Sequence, residues 1–208
     1  MATTRYPVME HYYTLQGEGV HTGKAAYFIR LGGCDVGCVW CDVKDSWDAS
    51  AHLVMSTDEI VNVVAKPAYR TGRHKGRIAV ITGGEPAMHD LTALCEALHA
   101  AGFKIHIETS GAYPLSGDLD WVTLSPKKFK APLAECMIKA DELKVVIYHS
   151  SDFEWAEEHA AMVSHACKLY LQPEWSKREV ITPLIIDYVK QHPQWQLSLQ
   201  MHKYINIP

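Results

Sequence analysis

Apolar residues recur along this chain in short, nearly continuous runs, separated by stretches with helical spacing. The runs "AAYFIRLGG" (25–33), "RIAVITGG" (77–84), "KIHIETSG" (104–111), "WVTLSP" (121–126), "ELKVVIYH" (142–149), "KLYLQPE" (168–174) and "QLSLQMH" (196–202) read as strands. Their consecutive apolar positions predict a parallel sheet covered on both faces. Helical patterns fill the gaps. In "STDEIVNVVAK", Ser56 and Glu59 form a capping box ahead of an apolar stripe. In "HDLTALCEALHAAG", Leu91, Leu94, Cys95 and Leu98 share one helical face, and Gly102 is placed to end the helix. "DFEWAEEHAAMVSH" and "SKREVITPLIIDYVKQ" predict two more helices, the second kinked or shortened by Pro183. Such strand–helix alternation implies a βα barrel or a doubly wound sheet.

No repeat, linker or low-complexity stretch interrupts the pattern, so residues 1–208 are read as a single domain. A chain of this length buries roughly 70% of its unfolded surface and needs no disulfide staple. No apolar run is long enough to span a bilayer, and "MATTRYPVMEHYY" lacks the apolar centre of a secretion signal. The expected location is therefore the cytoplasm, with no membrane partner. The net charge of −4 disfavours non-specific nucleic-acid binding. Two basic groups remain: "YRTGRHKGR" (69–77), read as a solvated loop, and "SPKKFK" (125–130), which follows a strand.

Six cysteines refine the picture. Cys95, Cys136 and Cys167 stand alone in apolar or helical contexts and are read as small hydrophobes. Cys34, Cys38 and Cys41 fall together in "RLGGCDVGCVWCDVKDSW", spaced C-x3-C-x2-C on the loop leaving the first strong strand. In a reducing compartment such a cluster points to a metal or to catalysis. One reading is a structural zinc knot, with Asp42 or a distant His as fourth ligand, although a second C-x2-C knuckle is lacking. The other is an iron–sulfur cube held at three corners, its fourth iron open to a small molecule.

Position favours chemistry. Cys34, Glu85, Glu108, Ser125 and Gln172 all lie at or just beyond the C-terminal ends of predicted strands. In a parallel barrel those ends share one face, where βα loops build active sites. The glycines of "TGGEP" (82–86) let backbone approach a ligand closely, and Glu85 could accept from a ligand ammonium. Thr109, Ser110 and Ser125 offer hydroxyls to a ribose or carboxylate, with Lys127 supplying charge; helix capping and solvation are their structural alternatives. Gly17, Gly19 and Gly23 miss the G-x-G-x-x-G spacing and precede a strand, so a phosphate cradle is excluded.

The C-x3-C-x2-C spacing, with Trp40 before the last cysteine, resembles the radical S-adenosylmethionine superfamily, and "TGGEP" resembles its GGE element. More narrowly, "TLQGEG", Arg30 in "FIRLGGC", "CVWCD", "TGGEP", "SPK", "LQP" and "LSLQMHKYINIP", in that order, resemble the 7-carboxy-7-deazaguanine synthases along essentially the whole chain. The resemblance implies an α/β fold of the shortened, partial TIM-like barrel type. It implies a [4Fe-4S] cluster on Cys34, Cys38 and Cys41, S-adenosylmethionine as cofactor, a reductant such as flavodoxin or ferredoxin, and a homodimer. The implied reaction turns 6-carboxy-5,6,7,8-tetrahydropterin into 7-carboxy-7-deazaguanine with loss of ammonia, on the queuosine and deazapurine route. A 5′-deoxyadenosyl radical removes the C6 hydrogen, and S-adenosylmethionine is regenerated.

Carried over by motif, Leu15, Gln16 and Gly17 contact the pterin ring and Arg30 pairs with the substrate carboxylate, which suits a forked guanidinium. Thr82 faces substrate; Gly84 and Glu85 face S-adenosylmethionine; Trp40 and Asp42 flank cluster and cofactor. Ser125, Pro126, Lys127 and Gln172 complete the cofactor pocket, while His202 and the carboxylate of Pro208 close the substrate site. One departure concerns Mg²⁺. Relatives often carry Thr or Ser after the aspartate, whereas this chain has Val43, which cannot ligate a hard cation, with Lys44 as a nearby replacement charge. The rival readings are an activase of glycyl-radical enzymes, which lacks the "LQGEG" and "QMHK" context, and a zinc-stabilised, non-catalytic binding module.

Overall fold

The computed structural model describes residues 4–71 and 77–208, the side chains of 67–71 excepted. Nine strands form one sheet among the described residues. In chain order the elements are β1 (Arg5–Leu15), β2 (Ala25–Leu31), β3 (Leu53–Ser56), α1 (Thr57–Thr71), β4 (Arg77–Gly83), α2 (Thr92–Ala100), β5 (Phe103–Thr109) and β6 (Trp121–Leu124). They continue with α3 (Ala134–Lys139), β7 (Glu142–Ile147), α4 (Asp152–Ala160), β8 (Lys168–Pro173), α5 (Arg178–Gln191), β9 (Trp195–Leu197) and α6 (Met201–Ile205). The strand order is β3-β1-β2-β4-β5-β6-β7-β8-β9. From β2 to β9 every pairing is parallel, while β1 pairs antiparallel with both β2 and β3.

All seven sequence-predicted strands are present, and each parallel step is a βα crossover or a loop covering the outer face. The sheet does not close, because β3 and β9 are its unpaired edges among the described residues. It nonetheless curls until the loop after β1 meets the segment after β9, where the Met201 N–H donates to the Gly17 carbonyl at 2.9 Å. A partial barrel results.

Strand periodicity sorts the side chains into two faces. Outward, Tyr27, Ile29 and Leu31 of β2, Ala79 and Ile81 of β4, and Ile105 and Ile107 of β5 pack with Ile60, Val64, Leu94 and Leu98 of α1 and α2. A second cluster joins Leu143, Val145 and Ile147 of β7, Leu171 and Trp195 to α3, α4 and α5. Inward, Ala26, Phe28, Ile78 and Val80 form a small apolar layer. Beyond it, at the strand ends, the inward positions turn polar: Arg30, Thr82, Glu108, Lys144 and Gln172 line a cavity of about 620 Å³.

The helix signals hold in detail. The Ser56 N–H donates to Glu59 Oε2 at 2.7 Å and the Glu59 N–H to Ser56 Oγ at 3.3 Å, the reciprocal capping box. Gly102 takes the left-handed conformation after α2, with φ of 84°. Other expectations need correction. α5 is not shortened: it runs on past Pro183 to Gln191, forgoing the bond that a residue with an N–H would give to Glu179. β9 stops at Leu197 instead of reaching 202, because the following residues turn into the cavity and coil into α6. Of the basic stretch 69–77, residues up to 71 end α1 and Arg77 opens β4; residues 72–76 lie outside the described part. The "SPKKFK" lysines are spent within the molecule: Lys127 on Ser125, Lys128 on Asp152 and Lys130 on Asp35.

One layer below Glu108, His106 plugs the barrel interior against His21 (centroids 4.5 Å apart) and Trp121 (6.2 Å). His106 is 6% exposed, and burial, reinforced by His21, drives its pKa down to about 4. A depressed histidine leaves the unfolded chain binding the proton first, so stability falls as pH drops below about 6.5 and the loss levels off near the folded value. The expected loss from this residue is about 3 kcal/mol between pH 7.5 and 4. His106→Leu should flatten that part of the profile, read as a smaller pH dependence of the urea midpoint than in the unsubstituted protein.

Candidate active site

Two glycine pairs bring the key segments together. "GG" at 32–33 leaves β2 and "GG" at 83–84 leaves β4, and the two parallel strand ends lie side by side. The Gly84 N–H donates to the Leu31 carbonyl at 3.0 Å and the Glu85 N–H to the Gly33 carbonyl at 2.9 Å. A Cβ on Gly84 would stand 2.4 Å from the Gly33 oxygen and 2.7 Å from Cys34 Cβ, closer than real side chains approach. Gly83 is tighter still, at φ of 151° and 2.1 Å from the Leu31 oxygen. Only glycine allows this approach, and it sets Cys34 directly beside Glu85.

Glu85 is 1% exposed and fully bonded by the protein. Oε1 accepts from Thr109 Oγ1 (2.5 Å) and the Ala87 N–H (3.0 Å); Oε2 accepts from the Ser110 N–H (2.8 Å) and Ser110 Oγ (2.5 Å). The carboxylate therefore locks the end of β5 to the end of β4. Glu85 also lines the cavity, so these four bonds hold the carboxylate in place where a ligand ammonium would meet it.

The next layer faces the cavity. Glu108 accepts from Gln16 Nε2 at 2.9 Å and from Thr82 Oγ1 at 3.4 Å, uniting β5, β4 and the loop after β1. Arg30 donates through Nε to Glu10 Oε1 at 2.7 Å and through Nη2 to Tyr12 Oη at 3.2 Å, so β1 orients its guanidinium.

Across the cavity, the buried Lys144 forms an ion pair with Glu18, whose side chain is 14% exposed. Burial opposes ionisation of Glu18, yet the Lys144 ammonium brings its carboxyl down to about 2. Burial likewise works against the Lys144 charge, but Glu18, Glu108 and Glu142 raise its pKa. Glu142, 2% exposed and accepting from the Val20 N–H at 3.1 Å, is pushed up to about 7 by burial. Gln200 Nε2 donates to the other Glu18 oxygen at 3.0 Å. Ser198 Oγ donates to Gln172 Oε1 at 2.8 Å and accepts from the Gly19 N–H at 3.1 Å.

The C-terminal segment seats on this wall. His202 packs so closely on Gly17 that a Cβ there would meet its Nδ1 at 2.4 Å. Lys203 Nζ bonds Asp42 at 2.6 Å and Gln200 Oε1 at 3.1 Å, tying α6 to the residue after Cys41. Thr14 Oγ1 donates to the Pro208 oxygen at 3.3 Å.

Cys34, Cys38 and Cys41 are free thiols on one loop, and all three line the cavity. That loop is latched by Asp35, which accepts from Lys130 Nζ at 2.8 Å and from Tyr113 Oη at 2.5 Å. Lys127 bonds Ser125 Oγ at 2.5 Å and lies 5.5 Å from the Trp40 ring centre. Three soft sulfur donors on a single wall suit an iron–sulfur cluster held at three corners. Among the described residues no three His, Cys, Asp or Glu side chains are already drawn into a closed metal cage. Cys95, Cys136 and Cys167 are buried elsewhere in the apolar clusters, and burial pushes Cys95 and Cys167 up to about 12, which keeps them protonated.

The structure thus gathers nearly every sequence-predicted residue on one cavity: Leu15, Gln16, Gly17, Arg30, Thr82, His202 and Pro208 with Trp40, Asp42, Gly84, Glu85, Ser125, Lys127 and Gln172. Pro126 is buried and does not line it. Val43 does line it, but Lys44 does not; Lys44 lies 6.0 Å from the Trp47 ring centre, so the cation near Asp42 is Lys203. Sequence reasoning missed Glu18, Lys144, Glu142 and Gln200. The available signal was Glu142 and Lys144 at alternate positions of an otherwise apolar strand.

Comparisons with known proteins agree with this geometry. The sequence profile described as "Radical SAM superfamily" matches residues 28–130. The 7-carboxy-7-deazaguanine synthase of Flavobacterium psychrophilum is 55% identical over 202 residues, covering 97% of this chain and 92% of the relative. That of Synechocystis is 48% identical over 209 residues, covering 100% and 96%. The crystal structure of QueE from Escherichia coli superposes with a TM-score of 0.82 at 34% identity, covering 95% of each chain.

The Glu85 geometry is testable. Glu85→Gln would turn an amide NH₂ toward hydroxyl and amide donors. It should cost about 3 kcal/mol of stability, seen as a lower urea midpoint at unchanged slope.

Proposed function

The chain belongs to the 7-carboxy-7-deazaguanine synthases of the radical SAM superfamily, and from that premise we propose how its own residues divide the work. It is an enzyme that converts 6-carboxy-5,6,7,8-tetrahydropterin into 7-carboxy-7-deazaguanine with release of ammonia. Superfamily membership brings a [4Fe-4S] cluster and S-adenosylmethionine. When bound, the two would supply the radical chemistry for hydrogen abstraction from the substrate. The observation that carries the reading is the convergence of the three-thiol loop and the Arg30–Glu108–Lys144 layer on one cavity.

In this reading Cys34, Cys38 and Cys41 hold the cluster, and the Asp35–Lys130–Tyr113 latch fixes their loop. The Gly83–Gly84 strand end, Trp40, Ser125, Lys127 and Gln172 face S-adenosylmethionine. Glu85 faces it too, and at the same time holds β5 in place. The substrate carboxylate pairs with Arg30, whose guanidinium is pre-aimed by Glu10 and Tyr12. The ring's amino and imino hydrogens meet acceptors from Glu108 and Gln16, with Leu15, Gly17, Thr82, His202 and Pro208 shaping the remainder. Burial lowers the His202 pKa, favouring the neutral imidazole.

We further infer a single domain over 1–208, a homodimer, a protein reductant of the flavodoxin or ferredoxin class, and a cytoplasmic location that keeps the thiols reduced. No helix among the described residues is long and apolar enough to cross a membrane. The relatives' synthase identity weighs against both the activase and the zinc-module readings.

Anaerobic reconstitution tests the assignment. The protein should take up iron and sulfide and, with S-adenosylmethionine, reductant and carboxytetrahydropterin, yield the deazaguanine acid. Deoxyadenosine without that acid would retain the radical chemistry and reject the substrate; zinc without iron would reject both. For Mg²⁺, the Val43 side chain offers no ligand oxygen, its carbonyl already accepts from Ser46, and Asp42 is paired with Lys203. Turnover should therefore rise less on adding Mg²⁺ than it does in a relative with Thr at this position. Equal stimulation would count against that view.

A further inference from the structure

The Glu18–Lys144 pair has no place in the motif-based assignment, yet both residues line the cavity. Lys144 is 5% exposed and stands among carboxylates from three directions: Glu18 after β1, Glu108 on β5 and Glu142 on its own strand. Lys127, in the loop after β6, also faces it, and His202 of α6 and Asp42 face Glu18. Glu18 is held on both oxygens, by Lys144 and by Gln200 Nε2 at 3.0 Å. The neighbouring Gly19 and Val20 N–H groups are pinned to Ser198 and Glu142. The ammonium is thus the junction between the loop after β1, the β7 strand and the segment that carries His202 and Lys203.

Resting on the substrate reading above, we infer that Lys144 is a positioning residue for pterin capture. Its ammonium keeps Glu18 a fixed carboxylate on the cavity wall, so that wall presents acceptors to the hydrogen-bond-donating edge of the heterocycle while Arg30 takes the carboxylate. A fixed acceptor wall opposite a guanidinium gives the ring one orientation and places C6 consistently. Without the lysine, a largely buried Glu18 lacks its counter-charge and takes up a proton at neutral pH. The wall then presents a donor to a donor.

The test is calorimetric titration of the anaerobic holoenzyme with carboxytetrahydropterin, and separately with S-adenosylmethionine, from pH 6 to 9. Lys144→Met should bind the pterin about tenfold more weakly at pH 7 and recover most of that affinity by pH 9, as Glu18 ionises. Lys144 also holds the Glu142 pKa down, so Glu142 titrates higher in Lys144→Met; both profiles are therefore taken in a Glu142→Gln background, where that difference is absent. S-adenosylmethionine affinity should be unchanged, and Lys144→Arg should retain pterin binding. Parallel pH profiles, equal loss of both ligands, or Lys144→Arg as weak as Lys144→Met would overturn the inference. Should Lys144→Met not fold, Glu18→Gln decides: it should be weak at every pH, and full affinity would overturn the proposal. An unsubstituted enzyme that fails to bind the pterin would instead reject the substrate reading itself.

Discussion

Everything at the site depends on how closely the ends of β2 and β4 can approach. The Gly84 and Glu85 amides reach carbonyls of Leu31 and Gly33, at a separation where any side chain on Gly83 or Gly84 would collide with backbone. That contact decides where Cys34 starts the thiol loop and where Glu85 sits. Glu85 passes the constraint on to β5 through Thr109 and Ser110. Three consecutive strand ends are thereby fixed by backbone contacts and one buried carboxylate, before any ligand arrives. Preorganisation of this kind lowers the ordering cost of binding.

Much of the fold was legible because parallel strands buried on both faces advertise themselves as apolar runs, and all seven were recoverable. β1 was not, because "RYPVMEHYYTL" mixes aromatic and charged residues that lie half-exposed along an antiparallel margin. β3 was too short, and its Leu53 and Val54 face solvent. The overreach at β9 has a local cause: the Ser198 amide makes the last bond to β8, after which Gln200 turns inward to bond Glu18. Pro183 was overestimated as a breaker, since one lost bond does not undo a helix anchored by Ile181 and Ile185.

The site divides in a similar way. Motifs exposed the glycine turns and the cysteine loop, whose spacing is itself the chemistry. Residues acting through tertiary partners stayed hidden: Lys144 is only one polar position of a strand until the curl of the sheet places Glu18 against it. Pairing also reassigned visible residues. Glu85 gained a second part as a brace between β4 and β5, and the "KKFK" lysines turned from a basic patch into latches on Asp152 and Asp35.

The open sheet lends the molecule one more property. A full barrel would shut its seam with a ladder of backbone bonds, whereas here the gap between first and last segments is bridged chiefly by side chains. Lys203 on Asp42 is the solvent-facing clasp and Glu18 on Lys144 the sheltered one. Dissolved ions weaken the first and scarcely reach the second. Ionic strength therefore acts on the outer clasp and leaves the inner one in place.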